Sequence, residues 1–163
     1  ASVAGVLPYE AKDFRQKVVV PLRSGRVRGG FINTGVPHFV TFVNRLDRVD
    51  VVALGHDIRA HRAFAPRGTN VNFVQIVATG RRPKIRVRTY ERGVESETLA
   101  CGTGATASAI VSAVIKGLTP PVSVVTSGGA VLTINFKIER PAWISSVTME
   151  GPVEKVFETK LSL

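Results

Sequence analysis

Gly104-Ala-Thr-Ala-Ser-Ala-Ile-Val-Ser-Ala-Val-Ile-Lys116 carries no charge before its final lysine. The run is rich in alanine, the strongest helix former. It stops at Gly117, which suits a left-handed helix cap, and Thr119-Pro120-Pro121 bars continuation. The spacing predicts a helix over 104–116. Small and apolar residues go nearly all the way round it, so it should be buried on every side. A lone helix of that kind needs apolar surface in all directions, and a sheet curled around it supplies that surface.

Outward from this helix, the chain reads as short strands separated by turn signals. Strands are expected at Lys17–Leu22, Phe31–Asn33, Phe39–Val43, Val49–Leu54, Asn70–Ala78, Lys84–Tyr90, Val122–Thr126, Val131–Ile138, Ile144–Met149 and Val156–Leu163. Asn70–Ala78 alternates, with Val71, Phe73 and Gln75 on one side and Asn72, Val74 and Ile76 on the other. Gly128-Gly129 marks a hairpin turn. A second, shorter helix is expected over His56–Phe64. The predicted fold is α+β: one antiparallel, barrel-like lobe over residues 1–163, wrapped around one central buried helix.

Composition narrows the function classes. The 163 residues carry a formal net charge of +10 at pH 7, which raises a nucleic-acid reading. The densest basic run, Arg81-Arg82-Pro83-Lys84-Ile85-Arg86-Val87-Arg88, puts its even-numbered cations on one strand face and Ile85 and Val87 on the other. No aromatic residue interleaves with it as a stacking platform requires, so a solvated strand face explains it better. A single cysteine, Cys101, excludes an internal disulfide and a four-cysteine zinc site. His56 and His61 lack the spacing of a helical metal pair, and no metal is expected. No apolar run is long enough to cross a bilayer, and no basic region followed by an apolar core opens the chain. The expectation is a cytoplasmic protein.

Chemistry concentrates in Glu91-Arg92-Gly93-Val94-Glu95-Ser96-Glu97-Thr98-Leu99-Ala100-Cys101-Gly102-Thr103-Gly104-Ala105. Cys101 stands immediately before the predicted helix. The first amides of a helix lack internal partners, and their partial positive charge favours an anion. A thiol placed there is favoured as thiolate, a usable base or nucleophile. Gly102 and Gly104 let a ligand approach the backbone, and the amides of Gly102, Thr103 and Gly104 can hold a carboxylate. One segment offers a reactive sulfur beside an anion cradle. A lone cysteine is commonly an inert core residue, but an inert one does not need Gly-Thr-Gly after it.

The segment Glu91–Ala109 resembles the second cysteine motif of diaminopimelate epimerases. Four further stretches are similar to that family's landmarks and occur in the same order along the chain. They are Asn33-Thr34-Gly35-Val36-Pro37-His38-Phe39-Val40, Gly68-Thr69-Asn70-Val71-Asn72-Phe73-Val74-Gln75, Ser127-Gly128-Gly129 and Glu150-Gly151-Pro152-Val153-Glu154-Lys155-Val156-Phe157. The resemblance covers roughly residues 30–163. It implies that Cys101 is one of two opposed acid–base groups, and that Gly102 and Thr103 donate to the substrate α-carboxylate. It further implies that Glu91 and Arg92 meet the distal end of the substrate, that Asn70 contacts it, and that His38 and Glu91 tune the cysteines. The activity implied is cofactor-independent epimerisation of LL- to meso-diaminopimelate, in lysine and cell-wall precursor biosynthesis.

Two departures stand out. The family often has asparagine where this chain has Val36, which cannot donate to a substrate. The loop from Glu91 to Cys101 is one residue longer than in some members, with Glu95-Ser96-Glu97 as an acidic insert expected to reshape the loop only. The resemblance also implies two lobes with one cysteine each, whereas this chain has one cysteine. It is therefore expected to be a C-terminal lobe that does not epimerise alone, its partner being the missing N-terminal lobe or a second copy. Residues 152–163 are expected to form a strand, with Phe157, Leu161 and Leu163 on one face, that pairs with that partner. Two readings compete: another cofactor-independent racemase or isomerase of the superfamily, such as a proline racemase, and a non-catalytic basic nucleic-acid-binding module.

Overall fold

The structure is a computed structural model that describes residues 2–5, 14–23, 25–140, 143–156 and 158–160. Its elements follow in the order β1 (Ser2–Gly5), β2 (Phe14–Leu22), β3 (Gly25–Asn33), β4 (Pro37–Phe42), α1 (Val51–Arg59), β5 (Asn70–Ala78), β6 (Lys84–Glu91), β7 (Ser96–Thr98), α2 (Gly102–Lys116), β8 (Val122–Val125), β9 (Val131–Arg140) and β10 (Trp143–Glu150). The strands join in one sheet, ordered β1-β10-β9-β8-β6-β5-β4-β3-β2, with β7 added beside β6.

Most neighbours are antiparallel, as the short turns require, but β4–β5 and β6–β8 are parallel. The sequence reading did not foresee these two joins. A parallel pair needs a crossover, and α1 and α2 serve as the two crossovers. Both connections step the same way along the sheet, while β4 and β6 run in opposite directions. Right-handed crossovers then place the two helices on opposite faces.

The packing follows that division. α2 lies against one face, where Ile110, Val111, Ala107 and Ala109 are fully buried with Ile32, Val40, Val74, Ile85, Val122, Val124 and Ile134. α1 packs on the other face, where Val51 and Ile58 join Val20, Phe39, Val71, Phe73 and Tyr90. β5 is therefore apolar on both sides: Val71 and Phe73 face α1, and Val74 and Ile76 face α2. α2 is the buried central helix predicted from its composition, with Gly117 in the left-handed cap at φ 71°. The sheet curls around α2 but remains open between β1 and β2 among the described residues.

The strand expected at Val49–Leu54 is instead the start of α1. Asp50 caps that helix by accepting the Ala53 amide at 3.0 Å. The β-branched run misleads because Val51 and Ile58, seven apart, form the buried helical stripe. The helix expected over His56–Phe64 shrinks to the last turn of α1 and a 3-10 turn at Arg62–Phe64. Toward the C-terminus, residues 152–156 and 158–160 form no strand, and Phe157 and 161–163 lie outside the described residues.

The basic run on β6 has the two faces its alternation implied. Ile85 and Val87 are buried against α2. On the other side, Arg86 donates to both Asp47 carboxylate oxygens, at 3.1 and 2.7 Å. Arg88 donates to both Glu97 carboxylate oxygens, at 2.8 and 2.6 Å, and to the carbonyls of Leu46 and Val49. Two of the run's cations are thus committed to carboxylates within the chain, which speaks against a phosphate-binding face.

Gly55 brings α1 onto β6. A Cβ there would lie 2.4 Å from Cβ and Cγ of Tyr90, a ring that is itself buried. Gly55→Ala is expected to destabilise the fold by about 2–3 kcal/mol, an overpacking cost that rigid neighbours cannot relieve. Urea unfolding of the variant measures it, and a loss below half a kcal/mol would show that α1 slides freely on the sheet.

Candidate active site

Cys101 is the N-cap of α2, with extended backbone at φ −139° and ψ 106°. Its sulfur accepts the Gly104 amide at 3.3 Å, taking the place a serine or aspartate oxygen usually fills. The Ala105 amide donates to the Cys101 carbonyl at 2.8 Å. Among the described residues, the Gly102 and Thr103 amides are left without acceptors. Of the three amides expected to be free, Gly102 and Thr103 are so, and Gly104 serves the sulfur instead. Gly104 must lack a side chain: a Cβ there would stand 2.6 Å from Asn72 Oδ1 and 3.2 Å from the sulfur. Cys101 is half-buried and Thr103 exposed, so this corner opens to solvent.

Behind the helix start lies a buried polar cluster drawn from three strands. Strand register supplies it: His38 on β4 is aligned with Asn70 on β5, and Asn72 on β5 with Thr89 on β6. His38 is fully buried. Its Nε2 lies 3.1 Å from Thr103 Oγ1, and its Nδ1 lies 3.0 Å from Asn72 Nδ2. Thr103 Oγ1 in turn lies 3.5 Å from the Cys101 sulfur. Thr89 donates its hydroxyl to Asn72 Oδ1 at 2.9 Å. Thr34 donates to the Thr103 carbonyl at 3.1 Å and ties the first turn of α2 to the β3–β4 turn. Burial, aided by the nearby Arg92 charge, lowers the His38 pKa to about 3, so the ring is neutral at pH 7.

Asn70 acts as a clamp. Its Nδ2 donates to the Pro37 carbonyl at 3.1 Å, and its Oδ1 accepts the Arg92 amide at 2.7 Å. One Nδ2 hydrogen remains for any other acceptor. Arg92 follows β6 and sends Nη1 to the Arg67 carbonyl at 2.8 Å. Glu91 ends β6 half-buried, and among the described residues its carboxylate makes no hydrogen bond to the cluster. Cys101, Gly102, Thr103 and His38 are thus in one constellation, Asn70 and Arg92 frame its edge, and Glu91 lies beside that edge without a hydrogen bond to it among the described residues.

Sequence reasoning missed Asn72, Thr89 and Thr34. Asn72 left a signal: it is the polar member of the β5 face that also carries Val74 and Ile76. An amide among core residues must find partners. The acidic insert shapes its loop as a short strand with its own ion pairs. Ser96–Thr98 is β7, paired with β6. Glu95 pairs with Arg59 at 2.6 Å, and Glu97 accepts from Arg88 and Ser127. Those partners hold both carboxyls below the usual range, the Gly93 amide coming first for Glu95 and Arg88 first for Glu97.

Residues 30–156 match the sequence pattern of the family described as diaminopimelate epimerase. The diaminopimelate epimerase of Aquifex aeolicus is 49% identical over 99% of this chain, and that of Hydrogenobaculum sp. is 45% identical over 95%. The chain spans 60% and 53% of those relatives' lengths. Among solved structures, a hydroxyproline epimerase from Agrobacterium vitis matches at TM-score 0.64 and 15% identity over 94% of this chain and 50% of its own. A probable proline racemase from Agrobacterium radiobacter matches at 0.63 and 13% over 90% of this chain and 48% of its own. At such identity these two share the fold alone. Carrying the sulfur-capped helix start inside a matching pattern of 127 residues, the chain belongs to the diaminopimelate epimerase family.

Proposed function

We propose that this chain is the C-terminal lobe of a diaminopimelate epimerase and supplies one of its two acid–base groups, Cys101. The observation that carries the reading is the sulfur at the cap of α2, beside two unpaired amides. The Gly102 and Thr103 amides hold the substrate α-carboxylate and stabilise the charge that develops when the α-proton leaves. The Cα–H bond breaks, its electron pair delocalises into the carboxylate, and an S–H bond forms on Cys101. A donor on the opposite face then delivers a proton to the α-carbon, inverting it. That donor belongs to an N-terminal lobe, or to a second copy that brings its own Cys101.

Incubating LL-diaminopimelate with the chain alone, and with the chain plus the N-terminal lobe of a relative, tests this. Meso product is expected in the second case, and in the first only where two copies of the chain pair. Robust turnover by a monomer of this chain would overturn the two-lobe reading, and no turnover with a lobe that complements a relative's own C-terminal half would overturn the epimerase reading.

A proline-racemase-like activity is the second reading, one that the shared fold is compatible with but does not favour. Arg92 separates the two, since its planar fork suits a distal carboxylate that proline lacks. In the complemented enzyme, Arg92→Met is expected to raise KM for diaminopimelate by about tenfold or more, the loss of a charged hydrogen bond. A steady-state KM that does not move would favour a small, uncharged-tail substrate.

A further inference from the structure

The buried cluster behind Cys101 has a direction. Asn72 Nδ2 reaches both His38 Nδ1, at 3.0 Å, and the Phe39 carbonyl, at 3.4 Å. A carbonyl only accepts, so the end of the amide facing it is the NH2. The other end, Oδ1, takes the Thr89 hydroxyl at 2.9 Å. The same NH2 faces Nδ1, so Nδ1 of a neutral ring must accept and the ring proton must sit on Nε2. Nε2 then donates to Thr103 Oγ1 at 3.1 Å. With its lone pair so occupied, the Thr103 hydroxyl is free to point its own proton at the Cys101 sulfur, 3.5 Å away. The sulfur thus faces two donors, this hydroxyl and the Gly104 amide.

We propose that Asn72, fixed by Thr89, is a positioning residue that holds His38 in its Nε2–H form and thereby aims the Thr103 hydroxyl at Cys101 as a donor to the thiolate. The assignment rests on the reading of Cys101 as the reacting group and adds what sets its state. Every member from Thr89 to His38 is buried, so water cannot substitute for a lost partner or scramble the direction. Arg92 is the charged side chain whose field reaches His38, and it favours the same neutral ring. Gly104 belongs to the device as well, because any side chain there would push Asn72 Oδ1 away.

The single thiol makes the test direct, since alkylation by iodoacetamide reports Cys101 alone. The pH profile of that rate is measured for the wild-type chain, Asn72→Leu, Thr103→Val and Thr103→Ser, alongside nitrogen-15 NMR of the His38 ring. The wild-type ring is expected to carry its proton on Nε2, and Asn72→Leu to lose that single form. At pH 7, both Asn72→Leu and Thr103→Val are expected to alkylate about three- to tenfold more slowly, as for a weakened hydrogen bond to a charged group. Thr103→Ser keeps the hydroxyl and is expected to restore the wild-type profile. Thr103 is exposed, so its variants fold even if Asn72→Leu does not. Unchanged profiles in Thr103→Val, or a wild-type ring protonated on Nδ1, would overturn the proposal while leaving a reactive Cys101 intact. A wild-type thiol no more reactive at pH 7 than free cysteine would overturn the reading of Cys101 itself.

Discussion

Cys101→Ala is expected to lower turnover of the lobe-complemented enzyme by about 10²–10⁴-fold, the usual contribution of a positioned acid–base group. The sulfur has two jobs, and two substitutions separate them. As the cap of α2 it satisfies the Gly104 amide, so alanine also costs stability, about 1 kcal/mol for a lost cap. Serine restores an oxygen acceptor at the same place and should recover most of that stability. It should not recover turnover, because a hydroxyl is far harder to deprotonate than a thiol at neutral pH. Melting curves and epimerase assays on both variants read the two effects separately. Serine at wild-type activity would mean that Cys101 is structural and that the proton moves elsewhere.

The second large effect is a loss of stability on acidification. His38 ordinarily titrates at 6.5, but burial and then the charge of Arg92 lower it to about 3 in the folded chain. Between those values the unfolded chain binds a proton that the folded chain refuses, so stability falls as pH falls. The contribution is fully present above pH 6.5, declines through the interval, and levels off below about pH 3. One such group changes stability by up to roughly 5 kcal/mol across the interval. Charging the ring would also turn Nδ1 into a donor facing the Asn72 donor, which breaks the cluster. Asp47, Glu95 and Glu97 lose their own favourable partners as pH falls too, but only through the carboxylate range below about pH 4.5. The window from 6.5 to 4.5 therefore reports His38. Urea unfolding at a series of pH values should show a steady decline there, and His38→Gln should flatten it. A flat wild-type profile in that window would mean that the ring is already accessible to protons.

Local patterns revealed much of this molecule, and their failures have physical causes. The α2 segment was legible because composition, a glycine cap and following prolines agree on one helix. β5 was legible at both ends because Asn70–Ala78 alternates cleanly between turn residues. Val49–Leu54 was not, since a β-branched run is compatible with a strand until tertiary packing selects the seven-residue spacing of Val51 and Ile58. The parallel joins β4–β5 and β6–β8 were hidden because register between strands far apart in sequence leaves no local trace. Cys101, Gly102, Thr103, His38, Asn70, Glu91 and Arg92 could be named in advance, mostly through the resemblance. The structure joins the first four in one cluster and, among the described residues, gives the Glu91 carboxylate no hydrogen bond to it.

By itself, then, the sequence determined the central helix, the cysteine at its start and the glycines that open the backbone there, because these depend on neighbours in the chain. The order of the buried proton chain was decided only in three dimensions. Asn72 means nothing chemically until β4 and β6 flank β5 and bring a histidine to one end of its amide and a threonine hydroxyl to the other. A side chain's donors and acceptors are intrinsic to it, but which of them is used is set by what packing leaves within about 3 Å.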